Sequence, residues 1–307
     1  MHLGGLLDSS KSYILSKINE EYLPKTVLIR ANTSLENAIQ ILQNKGIEFP
    51  IIAKPDKGER GKCVERLENS TQLKDYLQAF GQDFVIQEFI PFENEIGVFY
   101  SRHPNEEKGT ISSIVIKEFL TIEGDGKSTI EKLLSQNVRA KFRWGYLTKK
   151  YARRLQEVLP EGEKLKLEPI GNHNRGTKFC NGNHLINEKL IDVFEKIARP
   201  IEGYFYGRFD LKYKDLESLY EGKNIKIMEL NGVNSEPAHI YDPDKMTLIK
   251  AYRDVFWHAK RANEIAIENH KRGVPYASIL ECIKAIQKHQ NFWKKRLKGV
   301  FLPQSRL

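Results

Sequence analysis

Polar and apolar residues alternate in two segments of the chain, residues 207–211 (GRFDL) and 227–232 (IMELNG), and this pattern predicts two half-buried strands. The residues between them, 214–224, are polar and include a glycine, which favours a long hairpin loop. In an antiparallel pair with Asp210 near Glu229, four polar side chains share one face: Arg208, Asp210, Glu229 and Asn231. Four apolar residues then share the other face and can enter a core: Phe209, Leu211, Met228 and Leu230.

The polar face of this hairpin predicts a binding site. Two carboxylates, an amide oxygen and an arginine on one face repel or strain one another unless something binds there. Hard oxygen ligands in this number suit Mg²⁺, which proteins hold with one or two carboxylates together with substrate phosphates. The alternative explanation of the hairpin alone is a surface cluster of salt bridges.

A second feature is a short apolar run, residues 49–53, that ends in Lys54 and Pro55 and continues into a loop with Gly58 and Gly61. The proline ends strand pairing, and the glycines allow backbone conformations that other residues avoid. Such a loop lets backbone N–H groups approach phosphate oxygens, and it carries four cations: Lys54, Lys57, Arg60 and Lys62. A solvated basic turn is the simpler explanation of this loop by itself.

The remaining pattern predicts an α+β protein with antiparallel strands and segregated helices. Helical spacing predicts helices over residues 10–19, 35–44, 70–81, 130–138, 187–201, 244–271 and 278–298. Alternating or apolar runs predict further strands over residues 26–30, 84–91, 94–102 and 111–119. Ser128 is the expected cap of the fourth helix, and residues 145–165 are expected to be irregular and basic.

Composition narrows the class of protein. The chain has 307 residues, 40% of them hydrophobic, and a formal net charge of +9. A mean hydropathy of −0.51, no apolar run of the ~20 residues that a membrane span needs, and no convincing signal peptide predict a soluble cytoplasmic protein. Three well-separated cysteines predict reduced thiols without a disulfide framework or zinc site. The positive charge favours anionic ligands.

Four segments in this order resemble the ATP-grasp superfamily of carboxylate–amine ligases, above all the D-alanine–D-alanine ligase branch. They are FPIIAKPDKGERGKCV at 49–64, VIQEFIPFENEIGVFY at 85–100, and GRFDLKYK at 207–214 with IKIMELNGVNSEP at 225–237. A further segment, EGDGKSTIEKLLSQN at 123–137, is similar to one in cyanophycin synthetase and in fused glutathione synthetases. The resemblance spans about residues 15–260. It implies two lobes whose antiparallel sheets clamp ATP, with the N-terminal domain that precedes the ATP-grasp fold absent or reduced.

The resemblance also implies a division of the chain. An N-terminal helix, residues 1–25, leads into a small lobe with the glycine loop, residues 26–90. A large lobe with the metal hairpin, residues 91–275, is followed by a basic helical extension, residues 276–307. For that extension we expect Phe292 and Trp293 to pack on the domain, with contact to anionic lipid or nucleic acid as the alternative.

By the same resemblance, eight residues bind the nucleotide: Lys17, Lys54, Gly58, Gly61, Gln87, Glu88, Ile90 and Glu95. Lys54 and Lys17 reach phosphates, with Lys11 or Lys25 as alternatives to Lys17. The two glycines close over the phosphates. Gln87, Glu88 and Ile90 form the adenine hinge, the last two through their backbones, and Glu95 accepts the ribose hydroxyls.

The metal ligands implied by the resemblance are Asp210, Glu229 and Asn231, which would hold Mg²⁺ with Mn²⁺ as an alternative. The implied catalytic residues are Arg208, which stabilises charge developing on oxygen, and Arg175 and Lys178 beside the γ-phosphate or the acceptor. Arg208 could equally serve as a structural partner of Asp210, and His173 as an ordinary loop histidine. The segment 231–242 departs from the family pattern and predicts a substrate other than D-alanine.

The function implied is ligation of a small-molecule carboxylate to an amine through an acyl-phosphate, with release of ADP and phosphate, on an amino acid or peptide-like substrate. The resemblance also allows a homodimer. The first alternative is a non-catalytic or regulatory ATP-binding module that acts with a partner. The second is a protein that binds RNA or anionic membranes through its charge, which the metal-type hairpin argues against.

Overall fold

The computed structural model describes residues 2–5, 10–58 and 61–299. Its first sheet has four antiparallel strands, in the order β1-β4-β2-β3: β1 Thr26–Ile29, β2 Ile51–Pro55, β3 Glu65–Leu67 and β4 Phe84–Glu88. Helices α2 (Leu35–Lys45) and α3 (Ser70–Phe80) cover one face and share an apolar core with it. Ser34 caps α2 and Gly46 ends it in a left-handed conformation.

The second sheet has five antiparallel strands, in the order β11-β10-β5-β6-β9. Their bounds are β5 Asn94–Ser101, β6 Thr110–Glu118, β9 Lys178–Asn181, β10 Tyr206–Tyr213 and β11 Ile225–Asn231. Helix α7 (Glu188–Ala198) packs its apolar face on this sheet, and Ile14 and Leu15 of the short helix α1 (Lys11–Leu15) join the same core. The predicted α+β class with antiparallel sheets is therefore confirmed.

The hairpin of β10 and β11 has the predicted register, with Asp210 opposite Glu229 and Arg208 opposite Asn231. A bulge follows, so that Leu211 lies opposite Ile227. Met228 was predicted to enter the core. That prediction is wrong, because the bulge gives its place to Ile227, which is fully buried, and leaves Met228 half-buried at the cavity described below.

The connection inside this hairpin is more ordered than predicted. Residues 216–221 form helix α8 (Leu216–Glu221), which Asp215 caps at its start and Gly222 ends in a left-handed conformation. Short polar segments with a carboxylate cap and a terminal glycine fit one or two helical turns as well as a loop.

Residues 119–168 form a small unit at the edge of the second sheet. Strands β7 (Thr121–Glu123) and β8 (Lys164–Lys166) pair beside helices α4 (Ile130–Gln136), α5 (Val138–Lys141) and α6 (Trp144–Lys150). The cap of α4 is Thr129 and not Ser128, whose hydroxyl donates to Asp125 instead. The prediction that residues 145–165 are irregular is wrong over α6 and β8, where Leu147 enters a separate apolar core.

Two long helices follow the second sheet, α9 (Leu248–Lys271) and α10 (Ile279–Gly299). No described helix is both long enough and apolar enough to cross a membrane. The first helix is shorter than predicted, because the chain turns after Leu15. The predicted packing of Phe292 and Trp293 falls on side chains outside the described part of the chain.

The core of the second sheet is packed around Phe209, which is fully buried between Phe194 of α7 and Tyr204. We predict that Phe209→Ala lowers the free energy of unfolding by about 3–5 kcal/mol, because it leaves a cavity in a packed core. Urea denaturation measures this change. The control is Phe142→Ala, which removes a ring that is 87% exposed and should cost less than about 0.5 kcal/mol. Equal losses in the two variants would contradict this assignment of the core.

Candidate functional site

A cavity of about 950 Å³ lies between the two sheets. Strands β2 and β4 line it from one side and β5, β6, β10 and β11 from the other. Ten of the predicted site residues line this cavity: Lys54, Gly58, Gly61, Gln87, Ile90, Glu95, Arg208, Asp210, Glu229 and Asn231. Four predicted residues are not among the residues that line it: Lys17, Glu88, Arg175 and Lys178.

The polar face of the β10–β11 hairpin, with Arg208, Asp210, Glu229 and Asn231, is called the acidic face below. Asp210 is its most constrained group. Its Oδ2 accepts hydrogen bonds from Arg208 Nη2 at 3.0 Å and from Asn231 Nδ2 at 2.9 Å. Its Oδ1 lies 3.0 Å from Lys117 Nζ. Burial would raise the pKa of Asp210, but the cations of Arg208 and Lys117 outweigh it and lower that pKa to about 2. The carboxylate is therefore charged at every physiological pH.

Lys117 is a site residue that the sequence analysis missed. Its side chain is 8% exposed, and its ammonium bridges Glu95 Oε1, at 2.8 Å, and Asp210 Oδ1. Burial alone would lower the pKa of Lys117, but the two carboxylates raise it above its usual range. The sequence does contain a pattern that could have identified Lys117. This lysine ends an apolar run (IVIK), as Lys54 ends the run IIAK.

The oxygen donors of this face fit one divalent cation. Asp210 and Glu229 lie directly opposite each other, and Asn231 uses its amide nitrogen for Asp210, which leaves its amide oxygen for another partner. Within the described residues no group of three or more His, Cys, Asp or Glu side chains could hold a metal ion. Magnesium sites that bind phosphates take only a few ligands from the protein, and the phosphate oxygens supply others. Two carboxylates and an amide oxygen match such a set of protein ligands.

Lys54 approaches the acidic face from the first sheet. Its side chain is buried, and Nζ donates to the carbonyl oxygen of Met228 at 2.8 Å. The bulge at Met228 thus provides the anchor for this lysine. Burial lowers the pKa of Lys54 to about 8, with Glu229 acting in the opposite direction.

Lys11, and not Lys17, lies at the cavity. Lys11 is 9% exposed, donates to the carbonyl oxygen of Gly58 at 2.6 Å, and lies 3.9 Å from Glu229 Oε1. Lys17 is exposed and lies over the ring of Tyr13. Lys17 follows Lys11 by six residues, which is about 240° around a helix, so the two side chains would lie on different sides even if α1 continued.

The glycine loop contacts a segment of the second lobe, residues 168–177. Gly61 has φ +67°, and a Cβ at this position would come within 2.8 Å of Asn172 Nδ2. Arg175 Nη2 donates to the carbonyl oxygens of Gly61 and Val64, at 2.9 and 3.0 Å. Arg175 therefore holds the loop from outside the cavity, at a contact between residues more than 100 positions apart in sequence.

The predicted adenine hinge is preorganised by its neighbours. Gln87 is fully buried; its Nε2 donates to Thr26 Oγ1, while its Oε1 accepts no hydrogen bond from the described residues. Glu88 turns its carboxylate to the backbone N–H of Lys25. Lys212 Nζ donates to the carbonyl oxygens of Ile90 and Phe92, both at 3.0 Å, and so holds the turn after β4.

Lys178 lies away from these groups. Its ammonium pairs with Asp244 Oδ2 at 2.6 Å on the outer edge of β9. Another part of the cavity wall is formed by His173, Phe179, Glu236 and Tyr241. The sequence analysis named His173 and the segment 231–242, which contains Glu236 and Tyr241, but not Phe179.

Residues 8–102 match the family described as a RimK-like ATP-grasp domain. This match confirms the ATP-grasp resemblance and the fold class that the sequence predicted. The matched residues end before the hairpin of β10 and β11, which carries the acidic face and is called the acidic hairpin below. No curated protein sequence matches the chain.

Solved structures that the chain matches include two D-alanine–D-alanine ligases. The one from Bacillus anthracis has 14% identity and a TM-score of 0.44, over 85% of this chain and 67% of its own. The one from Coxiella burnetii has 8% identity and a TM-score of 0.46, over 91% and 62%. A bifunctional glutathione synthetase from Pasteurella multocida has 14% identity and a TM-score of 0.39, over 87% and 38%. The chain thus spans between 38% and 67% of these structures.

We predict that Arg175→Ala frees the glycine loop, because the loop loses the two hydrogen bonds to its carbonyl oxygens. Hydrogen exchange of the backbone amides at 61–64 should become faster, while the core strands keep their protection. The matched control is Lys178→Ala, which removes a cation of the same segment that pairs outside the cavity. Unchanged exchange at 61–64 in the Arg175 variant would show that Arg175 does not hold the loop.

Proposed function

We propose that this protein is an ADP-forming ligase that joins a carboxylate to an amine with the energy of ATP. The observation that carries the proposal is the position of the Asp210–Glu229 pair, which faces a buried lysine and a glycine loop across one cavity. ATP-grasp enzymes in general use ATP and a divalent metal for such ligations, and the match of residues 8–102 to that fold supports the assignment. The substrate class we propose is an amino acid or a peptide-like molecule.

The residues present fit a nucleotide. The unpaired Oε1 of Gln87 is a buried acceptor beside the hinge, and it suits the amino group of adenine. Glu95, which lines the same cavity, would accept the ribose hydroxyls, and Lys11, Lys54 and the glycine loop would bind the phosphates. We propose Lys11 for the role that the sequence assigned to Lys17.

The same residues fit one divalent cation. We propose that Asp210, Glu229 and Asn231 hold Mg²⁺, with Mn²⁺ as an alternative. When bound, the ion would offset the charge of the phosphates and orient the γ-phosphoryl group.

In the proposed reaction the γ-phosphoryl group passes to the substrate carboxylate, and the amine then displaces phosphate from the acyl-phosphate to form the amide. Arg208, which is held by Asp210, would stabilise the negative charge that develops on oxygen in both steps. Lys117 would keep Asp210 and Glu95 in position. The glycine loop, held by Arg175, would exclude water from the acyl-phosphate. No side-chain nucleophile is needed, so positioning supplies most of the catalysis.

We predict that Asp210→Asn and Glu229→Gln each abolish Mg²⁺-dependent binding of a non-hydrolysable ATP analogue, because each removes a charged ligand of the ion. Calorimetric titration with and without Mg²⁺ measures this effect. The control is Asp75→Asn on the exposed face of α3, which should bind as the unaltered protein does. Binding that survives in both hairpin variants would refute the metal site. Binding without substrate-stimulated ADP release would favour a regulatory ATP-binding module.

We also predict that affinity for the analogue falls as the pH rises above 8. The pKa of Lys54 is lowered to about 8 in the unliganded protein, and phosphate raises it again. Binding therefore takes up a proton where free Lys54 is partly neutral, and affinity should fall by up to about tenfold per pH unit. Calorimetry at pH 8.5 in two buffers of different ionisation enthalpy measures the proton uptake. Lys54→Arg, which stays charged, should lose the uptake; the same uptake in that variant would exclude Lys54 as its source.

A further inference from the structure

One part of the cavity wall contains a carboxylate outside the acidic hairpin. Glu236 lies in the segment after β11, where the sequence departs from the resemblance, and its side chain faces the cavity. The hydroxyl group of Tyr241 donates to Glu236 Oε2. Arg208 Nη1 donates to the backbone carbonyl oxygen of Glu236 at 3.1 Å. Glu236 is thus joined directly to the arginine of the acidic hairpin.

Aromatic rings continue the wall beyond Tyr241. The ring of His173 lies 5.8 Å from that of Tyr241 and 5.2 Å from that of Phe179, between centroids. All three rings line the cavity together with Glu236. Burial, with a smaller contribution from Arg139, lowers the pKa of His173, so its ring is neutral at pH 7. The wall therefore presents one negative charge and three uncharged rings.

The cations near this wall pair most closely with other groups, although Arg208 also attracts the carboxylate of Glu236. Arg208 is paired with Asp210, Lys178 with Asp244, and Arg139 donates to the carbonyl oxygens of Gly176 and Thr177. Among the described residues, no lysine, arginine or histidine forms an ion pair with the carboxylate of Glu236. A carboxylate beside ring faces attracts a cation and repels an anion, since the rings present negative electrostatic potential.

From this geometry we infer that the amine substrate carries a second positive charge, on an ammonium or guanidinium group, which binds between Glu236 and the rings of Tyr241, His173 and Phe179. The inference rests on the proposed function and names the class of its amine: a basic amino acid or a diamine. Glu236 is then the residue that determines specificity. The contact between Glu236 and Arg208 places the reacting amine on the side of the acidic hairpin, where the acyl-phosphate would form.

The test compares amines that differ only in charge. The full chain is first saturated with Mg²⁺ and a non-hydrolysable ATP analogue, and it is then titrated in a calorimeter with arginine against citrulline and with lysine against norleucine, in both enantiomeric forms. We expect the charged member of at least one pair to bind ten or more times as tightly as its neutral counterpart. Glutamate should bind more weakly than the charged and the neutral member of that pair.

Variants assign the effect to Glu236. Glu236→Gln should remove the preference for the charged amine and leave affinity for the analogue unchanged, while Glu236→Asp should retain most of the preference. Glu217→Gln, an exposed position on α8, is the matched control. Equal binding of charged and neutral amines, or no binding of any, with intact binding of the analogue, would overturn this inference alone. Loss of analogue binding in the unaltered protein would instead refute the proposed function.

Discussion

The site depends on one buried cation, the ammonium of Lys117, between the carboxylates of Glu95 and Asp210. Each carboxylate lies on a different strand, and the lysine lies on a third, so the interaction joins β5, β6 and β10. A buried carboxylate without a partner is costly, and two of them side by side are more so. Lys117 and Arg208 together offset the cost of burying these two carboxylates. Everything else at the acidic face is arranged around charges that these cations stabilise.

The acidic hairpin was predictable because strand periodicity is strict. Once Asp210 and Glu229 are paired, the face of every neighbour follows, and the structure has that register. The prediction failed only after the bulge, where Met228 leaves the core and its carbonyl oxygen becomes the partner of Lys54. A bulge depends on the partner strand and on the lysine that approaches from the other sheet. Neither is visible in the local alternation of residues.

Other parts of the site depend on distant contacts and could not be derived from spacing. Arg175 was assigned to the cavity by the resemblance, yet its guanidinium reaches the carbonyl oxygens of Gly61 and Val64. The choice between Lys11 and Lys17 depends on which side of α1 packs on the second sheet, which Ile14 and Leu15 fix. That packing is a contact with distant residues, and the spacing of residues within the helix does not reveal it. Lys117 carried a signal, but a lysine that ends an apolar strand is informative only when a carboxylate on a neighbouring strand is known.

In the proposed reaction the charges on the cavity wall would separate the two substrates. Lys11 and Lys54 favour a polyanion, whereas Glu236 and the rings favour a cation. The carboxylates of the acidic hairpin repel a bare anion but would accept one that arrives with a metal ion. A nucleotide and a cationic amine would therefore be drawn to different parts of the wall. The net charge of +9, which by itself allows any anionic partner, matters less for function than this alternation of basic, acidic and aromatic walls.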